Sequence, residues 1–357
     1  MLILLWLGCA SPKSSSKEDS AVFYPPDAVG PHSVSSRVDT VVSRHGFEFE
    51  VQVWYPTQET DEDIHLYGGF FEGGIASDDA DPNCDETWPV MAFSHGNTGM
   101  RYQSIFYGEY LASHGYIVVS PDHVGNTFFD NDEALKPELI LRRPEDISDT
   151  IDWLFSSSDF GNCVDPDDGF AMSGHSFGGY TAVAISGGYL DTDATSEFCS
   201  EYGGWLCDDV EMLASELGSG VYSRQDDRIW ASIPMAPAAY ETLLGGLSNV
   251  EVPMMVLGGT KDTATTMTGS VLPIYDGMPT SSRMLGKIQD AGHFSFSDAC
   301  DLLPSYPDCG GDYLSSDIVQ SLVNTSSVAF LGWLQGDEEM SNYLPLEDDL
   351  IDWVDDR

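Results

Sequence analysis

Gly174-His175-Ser176-Phe177-Gly178-Gly179 is the stretch from which the rest of this 357-residue chain can be read. An apolar run, Phe170-Ala-Met-Ser173, leads into it, and a small-residue run, Gly179-Tyr-Thr-Ala-Val-Ala184, leads out. The pattern is G-x-S-x-G set between a strand and a helix. Glycines two positions either side of Ser176 leave room for a very tight turn, in which the serine is held in a strained backbone conformation. The helix N-terminus that follows favours negative charge developing beside the hydroxyl. A nucleophilic serine needs that placement, and Ser176 is expected to be one.

Outward from this turn, strands and helices alternate. Strands are expected over 37–44, 47–55, 89–94, 116–120, 169–173, 229–235, 252–257 and 283–288. Helices are expected over 101–113, 144–155, 177–186 and 314–335. Phe47, Phe49, Val51 and Val53 alternate onto one face, the period of a half-buried strand. The alternation implies an α/β architecture: a mostly parallel twisted sheet of about eight strands, covered by helices on both faces. Residues 1–9 read as a signal segment, 10–35 as a Ser/Pro-rich linker, 36–340 as one catalytic domain and 341–357 as an acidic tail. Residues 58–88, acidic and Gly-rich, read as an excursion outside the core. Residues 189–228, with Cys199, Trp205 and Cys207, interrupt the alternation and read as a lid-like insertion.

A serine turn of this kind in such a sheet resembles the α/β-hydrolase fold, in which acid and then histidine follow the serine along the chain. Of the eight histidines only His293 follows Ser176. It lies in Asp290-Ala-Gly-His293-Phe-Ser, just past a strand, in a loop suited to reach back. Serine needs such a base to take its proton. Val252-Pro-Met-Met-Val-Leu-Gly-Gly-Thr-Lys-Asp262 is an apolar strand, a glycine turn and an acid, so Asp262 is expected to orient the imidazole. Asp276 and Asp290 are runners-up less well placed against a strand. The strand 229–235 ends in Met235-Ala-Pro, with no acid. The oxyanion hole is expected from the N–H of Phe177 and from Asn97, in the glycine loop Phe93-Ser-His-Gly96-Asn97-Thr-Gly99. His95 is expected to brace that loop.

Charge and cysteines bound the setting. With 59 acidic against 14 basic side chains the formal charge is −45, which argues against nucleic-acid binding. A solubilising surface suited to high salt is the simpler reading, and divalent-cation binding the sharper one. Met1-Leu-Ile-Leu-Leu-Trp-Leu-Gly-Cys9 is too short to span a bilayer and resembles a bacterial lipoprotein signal. Export is therefore expected, with a membrane tether through a lipidated Cys9. The six other cysteines suit disulfides in an oxidising compartment, and proximity in sequence pairs Cys199 with Cys207 and Cys300 with Cys309, leaving Cys84 with Cys163. Asp79-Ala-Asp81-Pro-Asn83-Cys-Asp85 alternates oxygen ligands but lacks the glycine and the final glutamate of a calcium loop. No cofactor or metal is expected. Phe70, Phe71 and Trp88 are candidates to line an acyl pocket.

Three stretches carry a closer likeness: Ser94-His-Gly-Asn-Thr-Gly-Met-Arg101, Leu111-Ala-Ser-His-Gly-Tyr-Ile-Val-Val-Ser-Pro-Asp-His123 and the turn at Ser176, with Arg142-Arg-Pro-x-Asp146. They resemble the platelet-activating-factor acetylhydrolase and dienelactone-hydrolase-like branch of α/β-hydrolases. The resemblance implies a cofactor-free esterase of small-molecule or lipid esters with short to medium acyl chains, acting through Ser176, Asp262 and His293. The chain departs from it in lacking an acid after Met235, where the plasma-type acetylhydrolases carry theirs, and in using serine where dienelactone hydrolases use cysteine. A non-catalytic surface lipoprotein, or an amidase or peptidase on the same scaffold, stands as the alternative.

Overall fold

The computed structural model describes residues 23–59, 63–279, 282–302, 305–306 and 308–357. The signal segment, Cys9 and the first half of the stretch read as linker lie outside the described residues. Six parallel strands form the centre: β5 (Val90–Ser94), β6 (Ile117–Pro121), β7 (Phe170–His175), β10 (Ile229–Met235), β11 (Met254–Gly259) and β12 (Arg283–Ile288). Their order is β12-β11-β10-β7-β5-β6. β1 (Ser33–Val42) and β2 (Glu48–Thr57) continue the sheet beyond β6, antiparallel to each other and to it. The central strands read as unbroken apolar runs because both faces are covered. In β5, Met91 and Phe93 point to one core, Val90 and Ala92 to another. α1 (Ile105–Ser113) and the C-terminal helix Ser316–Leu334 fill the first face. α2 (Lys136–Ser156) and α3 (Phe177–Ile185) fill the second.

These are the eight strands expected, but among the described residues the sheet has eleven. Two of the others, β3 (Ile64–Tyr67) and β4 (Phe71–Asp78), arise within the stretch read as an excursion. β4 pairs with β1, and β3 with β4. The acidic, Gly-rich composition hid them because a polar core holds them. Trp54 donates to the buried Tyr67 hydroxyl at 2.6 Å, which donates to Glu109 at 2.9 Å. Glu109 also accepts the backbone N–H groups of Gly74 and Ile75, each at 2.8 Å. The third, β13 (Ile351–Asp355), lies in the stretch read as a tail and pairs antiparallel with β12. At the other end, β1 opens at Ser33, inside the stretch read as linker, and Tyr110 donates to the carbonyls of Pro26 and Ala28 at 2.7 and 2.8 Å.

α2 begins eight residues before the expected 144, and Pro144 lies inside it. A proline there cannot donate to the carbonyl four residues back. That carbonyl belongs to Ile140, and the Tyr180 hydroxyl donates to it at 2.8 Å, so the defect is filled from α3. The insertion forms a unit of its own. β8 (Tyr189–Asp191) pairs with β9 (Val221–Ser223), enclosing α4 (Thr192–Tyr202) and α5 (Cys207–Leu217). The disulfides are Cys84–Cys163, Cys199–Cys207 and Cys300–Cys309, the pairing expected from proximity. Among the described residues no helix is long and apolar enough to cross a membrane.

Candidate active site

β7 and α3 meet at Ser176, whose φ is +59° and ψ −116°. Space as well as dihedrals demands the flanking glycines: a side chain on Gly178 would strike the Ser94 carbonyl, and one on Gly174 the backbone of Gly178. Both sides of the turn are tied to β10 and the loop after it. Ser176 N–H donates to the Met235 carbonyl at 3.0 Å, and Ala238 N–H donates to the Ser176 carbonyl at 3.0 Å.

His293 follows β12 and reaches back to the turn. Its Nε2 lies 2.9 Å from Ser176 Oγ and its Nδ1 lies 2.8 Å from Asp262 Oδ2. Asp262 stands three residues past β11 and is 4% exposed, so it should be hard to ionise. Burial does push its carboxyl up, but His293 and the donors of Thr265 outweigh that and hold it at about 2. Oδ1 accepts the N–H groups of Ala264 and Thr265, each at 2.8 Å, and Oδ2 also accepts the Thr265 hydroxyl at 2.7 Å. The runner-up Asp290 pairs instead with Lys261 at 3.1 Å. The loop carrying His293 is steadied by Asp308, which accepts the Phe294 N–H at 2.8 Å next to the Cys300–Cys309 disulfide.

Sequence reasoning missed the link between the two halves of the site. Gln103 accepts the Gly96 N–H at 2.9 Å and lies 3.0 Å from His175 Nδ1; His175 Nε2 lies 2.9 Å from the His293 carbonyl. A carbonyl can only accept, so His175 is the neutral Nε2–H tautomer and accepts from the Gln103 amide. Burial, with His293 adding to it, lowers its pKa from 6.5 to about 3. Between those values the unfolded chain binds a proton that the folded chain refuses. His175 therefore costs no stability above pH 6.5, but on the order of 1 kcal/mol per pH unit as pH falls toward 3. His175→Gln, which can still donate to the His293 carbonyl, should flatten the acid limb of stability by about one proton. Urea unfolding of both proteins between pH 7 and 5 measures this, and parallel curves would refute it.

Asn97 lies in the loop after β5. Its Oδ1 accepts from Asn126 Nδ2 at 2.9 Å, and Asn126 Oδ1 accepts from Arg143 Nη1 at 2.6 Å. The fully buried Arg143 also donates to Ser94 Oγ and the His95 carbonyl, and its guanidinium sits 4.6 Å from the Phe177 ring centroid. One cation thus touches both sides of the expected oxyanion hole. Burial lowers its pKa to about 9, although Asp146 opposes that. His95 braces the loop, with Nδ1 2.7 Å from the Gly96 carbonyl and Nε2 accepting the His123 N–H at 3.1 Å. The Gly96 N–H is spent on Gln103, whereas that of Asn97 meets no acceptor among the described residues. Phe177 is the first residue of α3, so its N–H lacks an intrahelical partner.

Ser176 and Asn97 open on a cleft of about 410 Å³ walled by Trp205, Ala238, Ala239, Glu241, Ala264, Thr265, Thr266, Gly269 and Ser270. The expected aromatic lining is elsewhere. Trp88 is buried against His32, and Phe70 lies tilted against Phe71 at the surface near Tyr102, because β3 and β4 carry those two residues to the far edge of the sheet. Trp205 stands in their place, edge-on to Phe177 at 5.0 Å. Among the described residues no group of three or more His, Cys, Asp or Glu is disposed to hold a metal ion.

A family model described as Chlorophyllase matches residues 80–200, a span that includes Asn97 and Ser176 and stops short of Asp262 and His293. Cutinase 2 of Thermobifida cellulosilytica is 27% identical over 215 residues, 60% of this chain and 63% of that protein. Cutinase cut1 of Thermobifida fusca is 27% identical over 215 residues, 60% of this chain and 52% of its own length. Cutinase est1 of Thermobifida alba is 25% identical over 217 residues, covering 60% and 56%. The chain thus spans less than two thirds of the length of these relatives. The parallel sheet, the tight turn at Ser176 and these matches together give the chain an α/β-hydrolase fold, similar to that of ester hydrolases.

Proposed function

We propose that this protein is a serine hydrolase of carboxylic esters with short to medium acyl chains. The observation that carries the proposal is the unbroken line Ser176 Oγ, His293 and Asp262, at 2.9 and 2.8 Å. Ser176 Oγ attacks the ester carbonyl while His293 Nε2 takes its proton. The N–H groups of Asn97 and Phe177 receive the oxyanion, where one such donor contributes about 3 kcal/mol to transition-state stabilisation. His293 then returns the proton to the leaving alcohol, an acyl-enzyme remains on Ser176, and water releases it by the same route. Asp262 stays an anion throughout, holding the Nδ1–H tautomer and offsetting the charge of the imidazolium.

The cutinase names of the relatives support an ester as substrate. The finer likeness to the acetylhydrolase and dienelactone-hydrolase-like branch rests on the loop at Asn97 and on Arg142-Arg-Pro-x-Asp146. Residues 189–228 act in this reading as a lid, with Trp205 as the part that meets substrate. Export, and a tether through Cys9, complete the proposal and agree with three disulfides. The test is labelling with a fluorophosphonate, read by intact mass, alongside turnover of p-nitrophenyl acetate and butyrate. One adduct per chain, mapped to Ser176, with turnover of either ester, is expected. Folded, oxidised protein that neither labels nor turns over ester would refute the proposal.

A further inference from the structure

We propose that the ester this site is built to receive carries a positive charge, and that Glu241 binds it. The inference rests on the esterase reading and names its substrate class. Glu241 lines the same cleft as Ser176 and is 7% exposed. Its Oε1 accepts the Leu206 N–H at 2.8 Å, and the Thr195 hydroxyl donates to its own carbonyl at 3.0 Å. Gly204 lies so close that any side chain there would strike the carboxylate. The carboxylate is therefore held in one orientation by the segment joining α4 to α5. Among the described residues no donor reaches Oε2, and no Lys, Arg or His pairs with Glu241.

Oε2 faces the cleft with no protein donor among the described residues, so a bound cation would find there a charged acceptor already held in place. The neighbouring hydroxyls have other partners. That of Thr265 donates to Asp262, that of Ser270 donates to the Pro237 carbonyl at 2.6 Å, and that of Thr266 accepts the Gly269 N–H at 3.1 Å. The rest of the wall is alanine, glycine and Trp205, which leaves room for a bulky group. Beside the cleft's Trp205, Lys136 sits 5.1 Å from the ring, but Glu133 at 3.4 Å and Asp209 at 3.9 Å outweigh its charge. An ester bearing a quaternary ammonium or protonated amine fits this wall, and one bearing a carboxylate does not.

The experiment uses two pairs of esters matched in shape and differing in charge. Acetylthiocholine is set against 3,3-dimethylbutyl thioacetate, with the charge on the leaving side. The p-nitrophenyl ester of 4-(trimethylammonio)butyrate is set against that of 5,5-dimethylhexanoate, with the charge on the acyl side. For one pair at least, wild type should favour the cationic member in kcat/KM by roughly ten- to a hundredfold. In Glu241→Gln, which keeps an acceptor for Leu206, the ratio should fall to near unity. Choline should inhibit wild-type turnover of the neutral thioester more strongly than 3,3-dimethylbutanol does, a comparison that needs no variant. Turnover of all four esters without cationic preference overturns the assignment to Glu241 and leaves ester hydrolysis standing. A preference that survives intact in Glu241→Gln belongs to the protein's overall charge and also overturns it. Failure of every ester to turn over overturns both readings.

Discussion

Ser176→Ala should lower kcat for p-nitrophenyl acetate by roughly 10⁵- to 10⁶-fold and abolish fluorophosphonate labelling, with the fold intact. The effect is large because the hydroxyl is the only atom removed and nothing replaces it in line with His293. Alanine fits the site: among the described residues Ser176 Oγ has one side-chain partner, His293 Nε2 at 2.9 Å, and the backbone bonds at residue 176 do not involve the side chain. Groups that act as a unit are not additive, so adding His293→Ala to Ser176→Ala should cost little more than either change alone. Single-turnover kinetics on the three variants measures this. A double variant whose loss equals the product of the single losses would mean that the two side chains act independently, against the arrangement proposed.

Asp262→Asn should cost about 10⁴ in kcat, although it changes one atom and no volume. The geometry gives the reason. Oδ1 faces two N–H donors, from Ala264 and Thr265, so the amide oxygen of the variant is drawn there. Its NH₂ then points at His293 Nδ1, where Oδ2 had accepted at 2.8 Å. Facing a donor, Nδ1 must become an acceptor, and the ring proton moves to Nε2, aimed at Ser176 Oγ. A base that already carries its proton cannot take another from serine. Steady-state kinetics together with thermal unfolding separates this from a loss of structure. A loss under tenfold in folded protein would remove Asp262 from its proposed role.

The candidate site is far easier to place from the chain than the edges of the fold. The turn at Ser176 is local: two glycines, an apolar strand and a small-residue helix lie within fifteen residues of it. His293 was legible because no other histidine follows Ser176, and Asp262 because it ends a strand with a glycine turn. The central strands were legible because burial on both faces makes them continuously apolar. β3 and β4 were not, since what holds them is Glu109, some thirty to forty residues on, accepting the Tyr67 hydroxyl of β3 and backbone N–H groups of β4. Pro144 read as a helix start because the Tyr180 hydroxyl that completes the broken turn belongs to another helix. Gln103 and Glu241 carry no pattern at all, and Arg143, although part of Arg142-Arg-Pro-x-Asp146, gives no sign in the sequence of what it touches. Their positions depend on which side chains meet across the sheet, and periodicity holds no record of that.

The φ of +59° at residue 176 bears on how such a chain persists through generations. A left-handed backbone costs an L-residue about 1–2 kcal/mol, and glycine escapes that cost. Folding alone would therefore prefer glycine at the one position where the proposed chemistry needs a hydroxyl. Glycine is also a single-base change from some serine codons. If the protein ceased to be selected for its reaction, the nucleophile would be an early loss, since its replacement improves the fold. A serine still standing there is what the proposed reaction, if under selection, would preserve.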